Sequence, residues 1–250
     1  MSKESAAKVA LITGAARRIG AEIARTLHHA GMNIVLHYNA SEEEAIHLSE
    51  ELNQARKNSA MAVRADLLET ESENVLVQRS VKIWGRLDAL INNASRFYRT
   101  PFGKVTEYAW DDLMNSNMKA PFFLAQAAAP VLAAHQGVII NISDIHAKRA
   151  LRDYSAYCIS KSGLNMVTKV LAKELGPLVR VNAIAPGPIL WPEGDNSLLL
   201  EEKKRIIDKT LLKRSGGPKD IAQAVLFFVQ DATYVTGQIL SIDGGRMICG

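Results

Sequence analysis

Seven short runs of apolar, largely β-branched residues recur along the chain, at 9–12, 33–37, 60–65, 89–91, 138–142, 179–184 and 239–242. They are almost wholly apolar rather than alternating, the pattern of strands covered on both faces. Longer stretches with helical spacing separate them. In the first, Ile19, Ile23, Leu27 and Ala30 form a stripe that stops at Gly31. The second opens on Ser41-Glu42-Glu43-Glu44, an N-cap serine with a glutamate three positions on and acids that suit the helix dipole. Such alternation demands right-handed crossovers, and so an α/β fold: a single doubly wound parallel sheet of seven strands with helices on both faces. The 250 residues hold no repeat, linker or low-complexity tract, which predicts one domain over 1–250.

Composition narrows the function classes. Hydrophobic residues are 48% and charged residues 22%, ordinary globular usage that excludes a disordered chain. No apolar run reaches the ~18–20 residues of a membrane span; the longest candidate, 121–134, contains Gln126. The first apolar run, 9–12, is too short for the core of a signal peptide. Cys158 and Cys249 offer neither a disulfide framework nor metal-ligand spacing. His28, His29, His47, His135 and His146 likewise lack ligand-spaced partners, so no metal is expected. The expectation is a cytoplasmic protein with no membrane partner. Net charge is +4, with 30 basic residues scattered among 26 acids and no run of five like charges, so nucleic acid has no compositional support.

Doubly wound sheets bind ligands at the carboxyl ends of their strands, and the polar motifs lie there. After the first apolar run comes Thr13-Gly14-Ala15-Ala16-Arg17-Arg18-Ile19-Gly20. Gly14 allows a tight turn, Gly20 lets the helix approach the sheet, and the helix N-terminus offers N–H groups to a pyrophosphate. After the second run, His37-Tyr38-Asn39-Ala40-Ser41 carries no acid before Glu42, where an NAD site would hold a ribose with Asp or Glu. With Arg17 and Arg18 nearby, these residues suit a 2′-phosphate and select NADPH; His37 and Tyr38 also fit ordinary loop chemistry. Asp66 and Leu67 follow the third run, where Asp66 suits either an adenine amino group or a helix N-cap. Asn92-Asn93-Ala94 follows the fourth and either lines the cofactor's floor or braces the sheet.

Tyr157 and Lys161 are i,i+4 neighbours on a helical stretch after the fifth run. A phenol titrating near 10 exchanges protons poorly at neutral pH unless an ammonium stabilises the phenolate, which Lys161 would do. Asn117 is placed to orient that lysine through a water.

Thr13-Gly14-(x)3-Arg18-x-Gly20, Asn92-Asn93-Ala94, Asn117, Tyr157-(x)3-Lys161, Pro186-Gly187 and Asp243-Gly244-Gly245 together resemble the short-chain dehydrogenase/reductases, over essentially the whole chain. The resemblance implies a Rossmann-type sheet, NAD(P)-dependent hydride transfer and a homotetramer. It also implies cofactor contacts along Gly14, Arg17, Arg18, Ile19, His37, Tyr38, Asn39, Ser41, Asp66, Leu67, Asn93, Ala94, Ser95, Tyr157, Lys161, Pro186 and Gly187. Two departures stand out. Arg18 sits where most members have glycine, and Asp144 lies thirteen residues before Tyr157, where most have serine. An ionised aspartate repels the negative charge that grows on a ketone oxygen, and suits a substrate protonated at nitrogen. Ser143 is adjacent, so a one-residue shift would restore the common arrangement.

Both departures resemble the pteridine reductase branch, as does Asn93-Ala94-Ser95-Arg96-Phe97. That resemblance implies Asp144, Tyr157, Lys161 and Asn117 as the catalytic set. Arg18, Ser95, Phe97, Asp144, Tyr157, Leu190 and Trp191 would bind substrate, with Phe97 stacked on a pterin or folate. Phe97 is equally read as a packed core aromatic. The loop at about 187–210 is expected to cover the site. The rival enzyme reading is a carbonyl reductase such as a 3-oxoacyl-carrier-protein reductase, and the non-enzymatic one is an NADPH-binding sensor.

Overall fold

The computed structural model describes residues 7–191 and 197–249. Its strands are β1 Val9–Ile12, β2 Asn33–Tyr38, β3 Ala60–Arg64, β4 Ala89–Asn92, β5 Val138–Ile142, β6 Arg180–Pro186 and β7 Ile239–Ile242. They form one sheet in the order β3-β2-β1-β4-β5-β6-β7, with every neighbouring pair parallel. This is the doubly wound α/β architecture that the apolar runs imply. The strands shift at their ends: β2 and β4 each reach one residue further than the apolar run, and β6 continues through Pro186 because its ladder with β7 extends there.

Among the described residues there are eight α-helices: α1 Arg18–His29, α2 Glu42–Ala55, α3 Ser72–Trp84, α4 Glu107–Met114, α5 Ala120–Ala134, α6 Ser155–Leu175, α7 Leu200–Asp208 and α8 Pro218–Gln230. Alternate strand residues face opposite layers. Ala10, Ile12, Ile34 and Leu36 pack with Ile23 and Leu27 of α1, Leu48 of α2 and Phe228 of α8. Val9, Leu11, Val35 and Leu90 pack with Leu76 of α3, Leu124 and Leu132 of α5 and Leu171 of α6. A fully buried leucine in either layer stabilises the fold by about 1.5–3 kcal/mol. Burial on both faces fails at the sheet edges, where Met61 of β3 is 47% exposed and β7 is half-buried. An edge strand has cover from one neighbour only, so apolar sequence does not guarantee burial there.

Two local expectations need correcting. Ser41 occupies the N-cap of α2 but makes no side-chain capping bond. The segment 187–210 is not a loop throughout: its second half holds α7, none of whose residues is buried, while 192–196 lie outside the described residues. Among the described residues no helix is long and apolar enough to cross a membrane. The order of strands reverses between β1 and β4, opening a crevice at their carboxyl ends.

Candidate active site

Helix α6 carries Tyr157 and Lys161 one turn apart, and both are buried. The end of β5 faces them. Asp144 Oδ2 accepts a 2.7 Å hydrogen bond from the Tyr157 hydroxyl, and Asp144 Oδ1 accepts from the His146 backbone N–H at 2.7 Å. Ser143, 3% exposed, is engaged further along the same helix, donating from Oγ to Asn165 Oδ1 at 2.7 Å. Asp144 rather than Ser143 is therefore the residue that meets Tyr157, although both bond α6 and both line the same cavity.

This geometry sets the proton chemistry. Burial, then the charge of Asp144 and its hydrogen bond, hold the Tyr157 phenol well above its ordinary value. Lys161 does not reverse this. Its Nζ donates to the Ile142 carbonyl at 2.9 Å and lies 5.9 Å from the centre of the Tyr157 ring. Burial pulls the lysine itself down to about 8, with Asp144 opposing. In this arrangement Lys161 bonds a backbone carbonyl rather than the phenol, and burial and Asp144 favour the protonated form of Tyr157.

Asn117 sits in a π-helical turn, Asn115–Lys119, that joins α4 to α5. Such insertions re-aim a side chain within a helix. The Asn117 amide brackets the Arg96 backbone, accepting from its N–H at 2.8 Å and donating to its carbonyl at 3.0 Å, and donates to Ser160 Oγ at 3.1 Å. Its direct partners are these rather than Lys161, so it fixes the segment that carries Phe97. Phe97 stacks on Tyr154, with centroids 4.6 Å apart and planes at 15°, and meets Tyr157 edge-on at 4.7 Å. Sequence reasoning missed Tyr154; an aromatic three residues before the reactive tyrosine, on the same helical start, was its signal.

At the other end of the crevice the glycine turn folds as anticipated. Gly14 adopts φ +60°, and a Cβ there would press against Ala94 at 3.0 Å. A Cβ on Gly20 would lie 2.7 Å from Asn93 Nδ2, so the helix start can approach only as glycine. Asn93 donates to the Thr13 and Gly14 carbonyls at 2.8 and 3.0 Å, and Thr13 Oγ1 accepts from the Asn93 and Ala94 N–H groups. These bonds show Asn93 bracing the turn. Arg18 also has positive φ, +55°, the left-handed conformation that glycine adopts without strain. It donates to the Trp191 carbonyl at 3.1 Å.

His37 is a correction. It is 2% exposed, its Nδ1 accepts from the Gly14 N–H at 3.2 Å, and its Nε2 meets the Ala65 carbonyl at 3.1 Å. Burial drives it down to about 4, so it is a neutral tie between β2, β3 and the turn, and not a cation for a phosphate. Tyr38 donates to Glu42 Oε1 at 2.9 Å, and Arg17 pairs with Glu44 at 3.5 Å. A carboxylate therefore stands at the second strand end after all, because the first turn of α2 folds back over it. Asp66 accepts from the Leu68 N–H at 3.0 Å and caps a turn, with α3 starting only at Ser72. Asn39 is exposed, and Ser41 and Leu67 are half-buried at the same rim.

Between these ends lies a cavity of about 590 Å³. It brings together Arg18, Ile19, Asn93, Ser95 and Phe97 with Asp144, Tyr157 and Lys161, and Pro186, Gly187, Leu190 and Trp191 close it. Gly187 lies so near Asp243 that a Cβ would come within 2.6 Å of its Cα, which locks the cover segment to the end of β7.

A protein-family model described as enoyl-(acyl carrier protein) reductase matches residues 14–246. The chain belongs to the short-chain dehydrogenase/reductase family. It is 34% identical to pteridine reductase 1 of Leishmania tarentolae over 98% of both chains. It is 36% identical to ketoacyl reductase 2 of the granaticin polyketide synthase from Streptomyces violaceoruber, over 96% of both. A 3-oxoacyl-[acyl-carrier-protein] reductase of Staphylococcus aureus is 34% identical, over 95% of this chain and 97% of that one. The protein is thus an oxidoreductase of this family, whose reductases use a nicotinamide cofactor, and relatives of two substrate types are equally similar.

The short-chain reductase site fits such a cofactor on its own geometry. The N-cap position of α1 is Arg17, which makes no side-chain capping bond, so the first N–H groups of the helix keep their capacity for an anion. The two glycines clear the space that a pyrophosphate needs, and Lys161 lies on the floor between turn and tyrosine. Among the described residues no group of His, Cys, Asp or Glu could hold a metal ion.

Proposed function

We propose that this short-chain reductase is an NADPH-dependent pteridine reductase, acting on a pterin or folate C=N bond. The observation that carries the reading is the Asp144–Tyr157 hydrogen bond at 2.7 Å, with the Ser143 hydroxyl engaged by Asn165. Ketone reduction builds negative charge on an oxygen beside Tyr157, and the Asp144 carboxylate opposes it there. Reduction of C=N instead needs a proton at nitrogen, which a protonated Tyr157 beside a carboxylate can supply.

A nicotinamide cofactor bound at the glycine turn supplies the hydride. The chain does the rest. Tyr157 hands its hydroxyl proton to the ring nitrogen, N8 for an oxidised pterin reduced at C7, and Asp144 orients that hydroxyl and serves its reprotonation. For a 7,8-dihydropterin reduced at C6, the proton reaches N5 from water. Arg18, Ser95 and Trp191 hold the ring, and Phe97, backed by Tyr154, offers it a flat apolar face; such orientation is worth several kcal/mol of barrier. Arg17 and Arg18 favour the 2′-phosphate of NADPH, since the exposed Arg17–Glu44 pair is weak enough to yield to it. Asn117 supports Phe97 through Arg96. The reading includes a cytoplasmic homotetramer, for which the exposed Ile159, Met166 and Val170 along α6 supply apolar surface.

The test is NADPH oxidation with 7,8-dihydrobiopterin or dihydromonapterin, beside an acetoacetyl thioester, in wild type and Asp144→Ser. Pterin turnover that falls in the variant supports the reading. Thioester turnover without pterin turnover overturns it in favour of the ketoacyl reductases to which the chain is equally similar.

A further inference from the structure

The cavity beside Asp144 and Tyr157 carries more positive charge than the proposed reduction uses. Arg99, Arg152 and Arg246 line it in addition to Arg18 and Lys161, while Asp144 is the sole carboxylate among its described lining residues. Both oxygens of Asp144 are already engaged, by Tyr157 and by the His146 N–H. Several arginines elsewhere are paired with acids: Arg25 meets Glu51 at 2.7 Å, Arg86 meets Asp88 at 2.7 Å, and Arg96 pairs with Asp112. Arg99, three residues after Arg96, meets no carboxylate within ion-pairing distance among the described residues, and neither do Arg152 and Arg246.

The fold gathers these three side chains deliberately. Thr100 pairs with Tyr154 in a parallel bridge, and the Thr100 N–H donates to the Asp153 carbonyl at 2.6 Å. That bridge joins the two segments that carry Arg99 and Arg152, both of which line the cavity. Arg246 comes from the segment after β7. Its nearest acid, Asp243, is spent on the Gly245 and Met247 N–H groups at 2.9 and 2.8 Å. Arg149 donates to the Arg246 carbonyl at 3.1 Å and so tethers that segment at the cavity. Desolvation, and after it the charge of Arg149, holds the Arg246 guanidinium below its ordinary value, with Cys249 and Asp243 opposing the shift. Cations assembled this way are complementary to an anion. The cofactor's phosphates do not account for them, because their place is the glycine turn, at the other side of the crevice.

We propose that Arg99, Arg152 and Arg246 form a receptor for an anionic substituent carried by the substrate beyond its reduced ring. The inference rests on the pteridine reading and selects among its substrates: a pterin with a carboxylated or phosphorylated side chain over a neutral one. Carboxylates of a p-aminobenzoylglutamate tail and a phosphate ester share this chemistry.

The experiment compares kcat/KM for 7,8-dihydrofolate, 7,8-dihydroneopterin phosphate, 7,8-dihydroneopterin and 7,8-dihydrobiopterin, in wild type, Arg99→Gln/Arg152→Gln and Arg99→Lys/Arg152→Lys. Wild type is expected to prefer the anionic substrates at least about tenfold at low salt, the worth of one charge-assisted contact. The preference shrinks at about 0.3 M salt, as an exposed cluster requires. The glutamine variant loses the preference and the lysine variant keeps most of it, with melting curves confirming that both fold. Preference for dihydrofolate or for the phosphate identifies the source of the anion. Equal efficiency with charged and neutral pterins, or an equal fall for all of them in the glutamine variant, overturns the inference and leaves the pteridine reading standing. Turnover of none of the pterins overturns both.

Discussion

The two halves of the crevice use buried polar groups in opposite ways. At the ends of β1 to β3 the polar residues close on one another. His37 ties Gly14 to Ala65, Asn93 and Thr13 brace the turn, and Tyr38 bonds Glu42. This half is finished as a scaffold, and what it presents to a ligand is backbone and space. At the ends of β4 to β6 the groups are held short of neutral pairing. Lys161 is 2% exposed with a carbonyl as its hydrogen-bond acceptor, Tyr157 is raised by burial and by the carboxylate it donates to, and three arginines meet no carboxylate among the described residues. Stability has been given up there and kept in the first half, as expected where pKa values are tuned for chemistry.

The sharpest way to break this contrast is at Tyr157. Tyr157→Phe is expected to lower turnover of an oxidised pterin by about 10²–10⁴-fold, the usual worth of a positioned proton donor. Undiminished turnover, followed by NADPH absorbance, would remove Tyr157 from the proton path.

Lys161→Met tests whether the catalytic half is held at a cost. Because burial lowers the lysine from 10.5 to about 8, the unfolded chain binds that proton more tightly, and stability drains as pH falls from 10.5 to about 8. At pH 7 the full cost, about 3 kcal/mol, is in place. The variant is therefore expected to resist urea better than wild type at pH 7 while losing activity. A less stable variant at that pH contradicts the comparison. In the wild type, activity that needs charged Lys161 should decline as pH rises through about 8.

His37 tests the scaffold half with the opposite meaning. Its folded value, about 4, lies below the unfolded 6.5, so its contribution is whole above pH 6.5 and is lost as pH falls toward 4. The loss amounts to about 3 kcal/mol in all. His37→Gln should flatten that slope in urea titrations across pH 4–6.5 while leaving nucleotide affinity at pH 7 far less changed than its stability. Loss of NADPH preference in this variant would mean that His37 is a phosphate ligand after all.

Arg17→Ala probes the rim, and should raise the Kd for NADPH about tenfold with little effect on NADH, as one charged contact predicts. The smallest effect is expected from Arg18→Gly, which relieves a left-handed backbone worth about 1 kcal/mol while removing a substrate-holding guanidinium. Its melting temperature should not fall as its KM for pterin rises.

Much of this was legible because it is local or periodic. Seven apolar runs mark the seven parallel strands, the stripe from Ile19 to Leu27 lies on α1, and Tyr157 and Lys161 face one way because a helix makes i and i+4 neighbours. The demand for glycine at positions 14 and 20 is equally local, a matter of φ and of how close a helix start can come to a strand. Pairing across the sheet was not legible, since it depends on which side of a chain turns inward after a strand ends. Whether Ser143 or Asp144 meets Tyr157 is a question of register, and two adjacent polar residues look alike until packing against α6 gives Asp144 to Tyr157 and Ser143 to Asn165. The role of His37 was hidden for a related reason: a histidine at a strand end reads as exposed until Gly14 and Ala65 close over it and burial makes it neutral. Glu42 looked distant from the second strand because sequence distance ignores the fold-back of a helix's first turn. Arg99, Arg152 and Arg246 are far apart in sequence and unremarked by any motif. The chain alone determined the sheet, its helices and the residue types available for chemistry; burial and long-range packing decided which of them carry charge, and which of them meet.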